Sequence, residues 1–207
     1  RGDLMGYSWS RRTFTAWGAT IALGLSLVGG AAQVTAQESP PLPAGCTVVA
    51  SGLLNPRGIA LAADGTLYFA EAGDAGAEAV YATPETGTPA AREPLTTHGA
   101  TGRVSKVAPD GTQSVVATGL PSYSFGPEIV GPAGIATANG TLYVAVGGPS
   151  ALTTVAPPVP NRDSVVAIDL TTGAVRTVAE VGAYECANNP DPNAVDSNLG
   201  GIAVGAD

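Results

Sequence analysis

Basic side chains are scarce in this chain. One lysine, Lys106, and one histidine, His98, stand among 207 residues, and nine Lys and Arg face 17 Asp and Glu for a formal net charge of −8. Nucleic-acid binding needs clustered Lys and Arg to neutralise phosphates, so this balance argues against such a partner. A single histidine excludes a zinc site built on several of them. Cysteine is limited to Cys46 and Cys186, with no paired-cysteine metal motif. The sequence also holds no P-loop, dinucleotide fingerprint or nucleophile elbow. Aromatic residues make up only 5%, while 28 glycines and 17 prolines accompany an apolar fraction rich in Ala and Val. That mixture suits short strands joined by turns and gives no expectation of long helices.

The first 36 residues have a different character. Arg11 and Arg12 precede an apolar stretch, Ala16 to Ala32, and the small residues Val34 and Ala36 suit cleavage after Ala36. This pattern predicts a secretory signal peptide over 1–36. The stretch holds 17 residues and four glycines, short for a membrane span of about 20 apolar residues. Ser10-Arg11-Arg12-Thr13-Phe14 is similar to a twin-arginine export signal, with the general export route as the alternative. The expectation is therefore an exported protein, periplasmic, in the cell envelope or extracellular, with no membrane attachment after cleavage. Removing the leader leaves 6 basic against 16 acidic residues, a net charge of −10, which favours solubility. Residues 37–45, with "ESPPLPAG" inside them, read as a proline-rich spacer.

What the sequence does have is repetition. "GIALAADGTLYFAEAG" begins at Gly58, "GIATANGTLYVAVGG" at Gly134 and "GIAVGAD" at Gly201, at intervals of 76 and 67 residues. In the first phrase two strand-favouring runs flank Asp64-Gly65, which predicts a β-hairpin with a type I′ turn. "GRVSKVAPDGTQSVVATGL" predicts a second hairpin around Asp110-Gly111, and the next unit turns at Asn139-Gly140 and Thr172-Gly173. Four strands per repeat in meander order predict an all-β β-propeller of four-stranded blades. Blade 1 is placed at about 58–119, blade 2 at about 134–181, and a third begins at 201. "CTVVASG", 46–52, matches the outer-strand phrases and reads as a closing strand. Two blades and one strand make no ring, so residues 46–207 read as an N-terminal part of a longer propeller. Cys46 and Cys186 then fall in different blades, too far apart for a disulfide.

The tight turns define one end of such a blade, and the long connections 72–101, 120–132, 147–162 and 182–200 define the other. Long loops gathered on a rigid scaffold carry function, so this second face is the expected binding surface. Candidate ligand-binding residues on it are Arg57, Glu71, His98, Tyr184, Glu185 and Asn189. Arg57 is expected to enter the central channel or to pair with Glu71, and Glu71 to take part in ligand or ion binding or else to cap a loop. His98 would need an orienting partner to act as a base. The loop "AYECANNPDPNAVDSNLGG" concentrates oxygen donors, and Glu71, Asp191, Asp196 and Asn198 form a candidate set for a divalent cation such as calcium. The alternative for that loop is Asx-turns with its own backbone.

"LNPRGIALAADGTLYFAEAG", "GATGRVSKVAPDGTQSVVATGLPS", "GPAGIATANGTLYVAVGG" and "YECANNPDPNAVDSNLGGIAVGAD" resemble the ScyD/ScyE family over residues 47–207. The resemblance, with NHL-repeat and gluconolactonase-like propellers as broader kin, implies an exported six-bladed propeller of undefined biochemistry. Two functions of different class are expected, the first preferred because the sequence holds no catalytic constellation, the second the alternative that the gluconolactonase-like kin suggest. One is a non-catalytic propeller that binds a small molecule or an extracytoplasmic protein through its long-loop face. The other is a metal-dependent lactonase, hydrolase or oxidative enzyme of extracytoplasmic pigment or secondary metabolism. Leu199 in "SNLGG" departs from the proline of "NPRG" and "GPAG".

Overall fold

The computed structural model describes residues 42–82, 96–148, 155–156, 159–188 and 199–205. The chain divides into Arg1–Pro43 and Ala44–Asp207, and the expected signal peptide lies outside the described residues. Of the expected spacer, residues 42–45 are described, all exposed and without strand.

The second unit is antiparallel β-sheet. Strands β1 (Pro56–Leu61), β2 (Leu67–Glu71), β4 (Thr96–Val107) and β5 (Gln113–Phe125) form one meander. Strands β7 (Pro132–Ala138), β8 (Thr141–Val146), β10 (Ser164–Asp169) and β11 (Val175–Glu180) form a second in the same order. These are the two four-stranded units that the repeat predicts. The described sheets are open, not closed into a ring. Their apolar faces meet in one core, in which Tyr68, Ala70, Val104 and Leu120 of the first meander pack with Ile135, Leu142, Val144, Val166 and Ile168 of the second.

The repeated "GIA" phrase has a packing reason. A Cβ on Gly58 would stand 2.1 Å from the Ala133 carbonyl oxygen, and one on Gly134 would stand 2.7 Å from Gly201 Cα. Each innermost strand thus lies against the start of the next copy too closely for any side chain.

Three expectations about elements need correction. The long connections are not simple loops. The first holds β3 (Glu78–Ala82) and the upper half of β4, the second the end of β5 and β6 (Glu128–Val130). The third holds β9 (Val155–Ala156) and the last begins with the helix α1 (Val181–Asn188). β3 pairs with both β4 and β9, and β6 with β5, so the first meander extends into an added sheet. Gly99 and Gly102 mark shifts of register within β4, and a Cβ on Gly99 would meet the Ala75 carbonyl at 2.4 Å. Residues 46–52 are coil, not a strand. The Gln113 amide holds them, receiving the Ser51 N–H at 3.2 Å and donating to the Ser51 carbonyl at 2.8 Å.

The turn at Asp64-Gly65 is not type I′. Gly65 alone has positive φ, its N–H donates to the Ala62 carbonyl, and Ala62 N–H donates to the Thr66 carbonyl. This is a three-residue loop with a left-handed last residue. Asp110-Gly111 repeats it, with Gly111 donating to Ala108 and Pro109 at the position where a type I turn favours proline. Asn139-Gly140 is the two-residue turn with positive φ at both positions, 50° and 72°.

Candidate functional site

Arg57 and Glu71 do not pair. Register places Pro56, not Arg57, opposite Glu71, and Arg57 is the extra residue in the register shift between Pro56 and Gly58. Arg57 instead reaches β6, with Nη2 3.3 Å from Glu128 Oε1 and 2.6 Å from the Ile129 carbonyl. It lines a cleft of about 320 Å³ with Glu128, Val130, Gly147 and Leu199.

Glu71 is fully buried, and its carboxylate is engaged by the protein. Arg103 donates to Oε2 from Nε at 2.9 Å and lies 2.8 Å away through Nη2, and the Leu54 N–H donates to the same oxygen. The Ser105 hydroxyl donates to Oε1. Loop capping is the role these contacts describe.

His98 gains the partner that the sequence did not identify. Glu78, His98 and Tyr123 stand directly opposite one another across β3, β4 and β5, and such positions share one face. His98 Nδ1 is 3.3 Å from Glu78 Oε2, and its ring lies 5.1 Å from that of Tyr123 at a tilt of 42°. Tyr123 is fully buried, and its hydroxyl has no hydrogen-bond partner among the described residues. Burial pushes its acidity well below that of an ordinary phenol, an effect that Arg162 opposes and Asp163 adds to.

Asp163 occupies the centre of this region. It is fully buried, sits at φ 47° and heads β10. A Cβ on Gly148 would lie 3.1 Å from its Oδ1, and one on Gly182 would lie 2.7 Å from its Cβ, so the side chain fills a niche between two glycines. Arg162 Nε stands 3.4 Å from Oδ2, yet neither carboxylate oxygen accepts a hydrogen bond from the described residues. The Gly148 N–H approaches without hydrogen-bond geometry. Burial pushes the carboxyl up to about 7, the Arg162 charge and the Gly148 N–H draw it down, and Glu185 raises it further.

The region joins all four long connections: His98 from the first, Tyr123 from the second, Arg162 from the third, with Asp163 just past its end, and Glu185 of α1 from the fourth. Of the other expected residues, Tyr184 is 70% exposed on α1, whereas Asn189, Asp191, Asp196 and Asn198 lie outside the described residues. Among the described residues no three His, Cys, Asp or Glu side chains gather to hold a metal ion. Cys46 and Cys186 are both exposed and unbonded. No helix among the described residues is long and apolar enough to cross a membrane.

Sequence reasoning missed Glu78, Tyr123 and Asp163. The signal for Glu78 was strand pairing within a stretch read as loop, and for Asp163 the polar triplet Asn161-Arg162-Asp163 before a strand. No protein-family model, curated protein or solved structure matches the chain.

Proposed function

We propose that the chain is part of an exported β-propeller whose long-connection face binds a small polar molecule in the extracytoplasmic space. One observation carries the binding reading. The described parts of the four long connections converge on Asp163 and Tyr123, two buried polar groups without hydrogen-bond partners among the described residues. Leaving such groups unsatisfied costs about 1–3 kcal/mol each, a cost that a ligand offering complementary polar atoms offsets. A carboxyl that titrates near neutrality inside a protein is also characteristic of functional sites. The propeller reading is supported by the two meanders, by the glycine contact made twice between successive copies, and by Ile59 and Leu61 on β1, 60% and 67% exposed. Further copies of the unit would cover that apolar strand. The likeness of the repeat phrases to ScyD/ScyE proteins agrees with both.

A thermal-shift screen of small polar molecules tests the reading. The expected result is a compound class that raises the melting temperature of the wild-type chain by several degrees and loses this effect in Asp163→Asn combined with Tyr123→Phe. Stabilisation that survives both substitutions, or no stabilisation by any class, would overturn it.

An enzyme is the second reading, and the Glu78–His98 pair favours it, because a carboxylate beside an imidazole is the arrangement that orients a general base. For a metal-dependent version the proposed donors are Glu71, Asp191, Asp196 and Asn198, of which Glu71 is already engaged by Arg103, Ser105 and the Leu54 N–H.

A further inference from the structure

Beside His98 lies a cleft of about 250 Å³, walled by Ala100, Gly119, Pro121, Pro160 and Asn161. Apart from His98, none of these residues can carry a charge. His98 faces a carboxylate through Nδ1, and a carboxylate only accepts, so Nδ1 carries the proton and Nε2 of the neutral ring is left as an acceptor. The Tyr123 ring packs on the imidazole and the side chain is only 12% exposed, which holds it in this orientation. Across the cleft Asn161 is fixed in the left-handed region at φ 61°. Its Oδ1 accepts the Thr177 hydroxyl at 2.8 Å, leaving its NH₂ group as a donor.

One acceptor and one donor stand in otherwise apolar walls. We infer that this cleft takes an uncharged molecule bearing a carboxamide, whose N–H donates to His98 Nε2 and whose carbonyl accepts from the Asn161 amide. A carboxylate would meet the lone pair of Nε2, and an ammonium would leave the Asn161 donor unmatched. Glu78 is a positioning residue that acts through His98. This assignment rests on the long-connection face being the binding face and names its ligand class.

The chain has a single histidine, so its imidazole resonances need no assignment, and two-bond proton–nitrogen correlation on the full chain reads both the tautomer and the ligand response. At about pH 8 wild type is expected to show the Nδ1–H form, set by the Glu78 carboxylate at Nδ1. Benzamide should shift Nε2 saturably, with benzoate and benzylamine inert. Glu78 is 73% exposed, so Glu78→Gln should fold normally, show mixed tautomers and bind benzamide about three- to tenfold more weakly. Asn161→Ala should weaken benzamide while keeping the wild-type tautomer. An Nε2–H tautomer in wild type, equal responses to the three probes, or no response would overturn the assignment. If benzamide fails while compounds that depend on Asp163 and Tyr123 still bind, the cleft assignment alone falls; if both fail, the binding face falls with it.

Discussion

A carboxyl enclosed by glycine backbone has little besides Arg162 to stabilise its charge, and for Asp163 this makes stability a function of pH. In the unfolded chain the group titrates near 3.8, and in the folded chain near 7. Between those values the folded state holds a proton that the unfolded state has released, so stability is full below about 4 and is lost as pH rises through 7. Asp163→Asn keeps the shape, suits the left-handed backbone and removes the charge. Urea unfolding at pH 5 and pH 8 should therefore show a slope in wild type that the variant lacks, with a gain at pH 8 on the order of 2–4 kcal/mol. None of this was legible along the chain, because the niche is built from Gly148 and Gly182, which are distant in sequence. His98 was legible as a candidate but its partner was not, since Glu78 lies in a stretch whose Gly, Pro and acidic content reads as loop. For Arg57 the expected partner was not the one found, because Arg103 occupies the Glu71 carboxylate and Arg57, in a register shift, reaches β6 instead.

Elements were read more successfully where apolar alternation was strong. β1, β2, β7, β8, β10 and β11 fall where the repeated phrases put them, because core residues such as Tyr68, Val144 and Ile168 recur along these strands. Turn chemistry was legible in kind but not in type. Asp64, Asp110 and Asp169 accept N–H groups from residues just ahead of them, and these bonds hold all three carboxyls below the ordinary aspartate value. Such Asx bonds stabilise wider loops in which only the glycine needs positive φ. The Glu71 cluster is the clearest case of elements fastened by one side chain, since it joins β2, β4 and the segment before β1. Glu71→Ala would strand Arg103 and Ser105 beside a cavity, and chemical denaturation should show a loss of about 3–5 kcal/mol. Glu71→Gln keeps an acceptor for the Leu54 N–H, so its loss should be smaller, about 1–3 kcal/mol.

Across the whole molecule the strongest constraint is the backbone contact between successive copies. Ala at position 58 or 134 would bring a Cβ within 2.1 Å or 2.7 Å of the neighbouring copy's backbone, and the strands would have to part. Gly58→Ala and Gly134→Ala should each lower unfolding stability by about 1–3 kcal/mol or more. Gly205→Ala, which meets nothing within 4 Å, is expected to be near neutral in the same measurement. The glycines were visible in the sequence as a repeated letter, but the reason for the repetition needed two copies side by side. The contact is also purely local: each glycine answers only to the copy that follows. Nothing in it counts. A duplicated segment would bring both a glycine and the backbone that the preceding glycine rests on, so chains of this design can lengthen or shorten by whole copies without redesigning any joint.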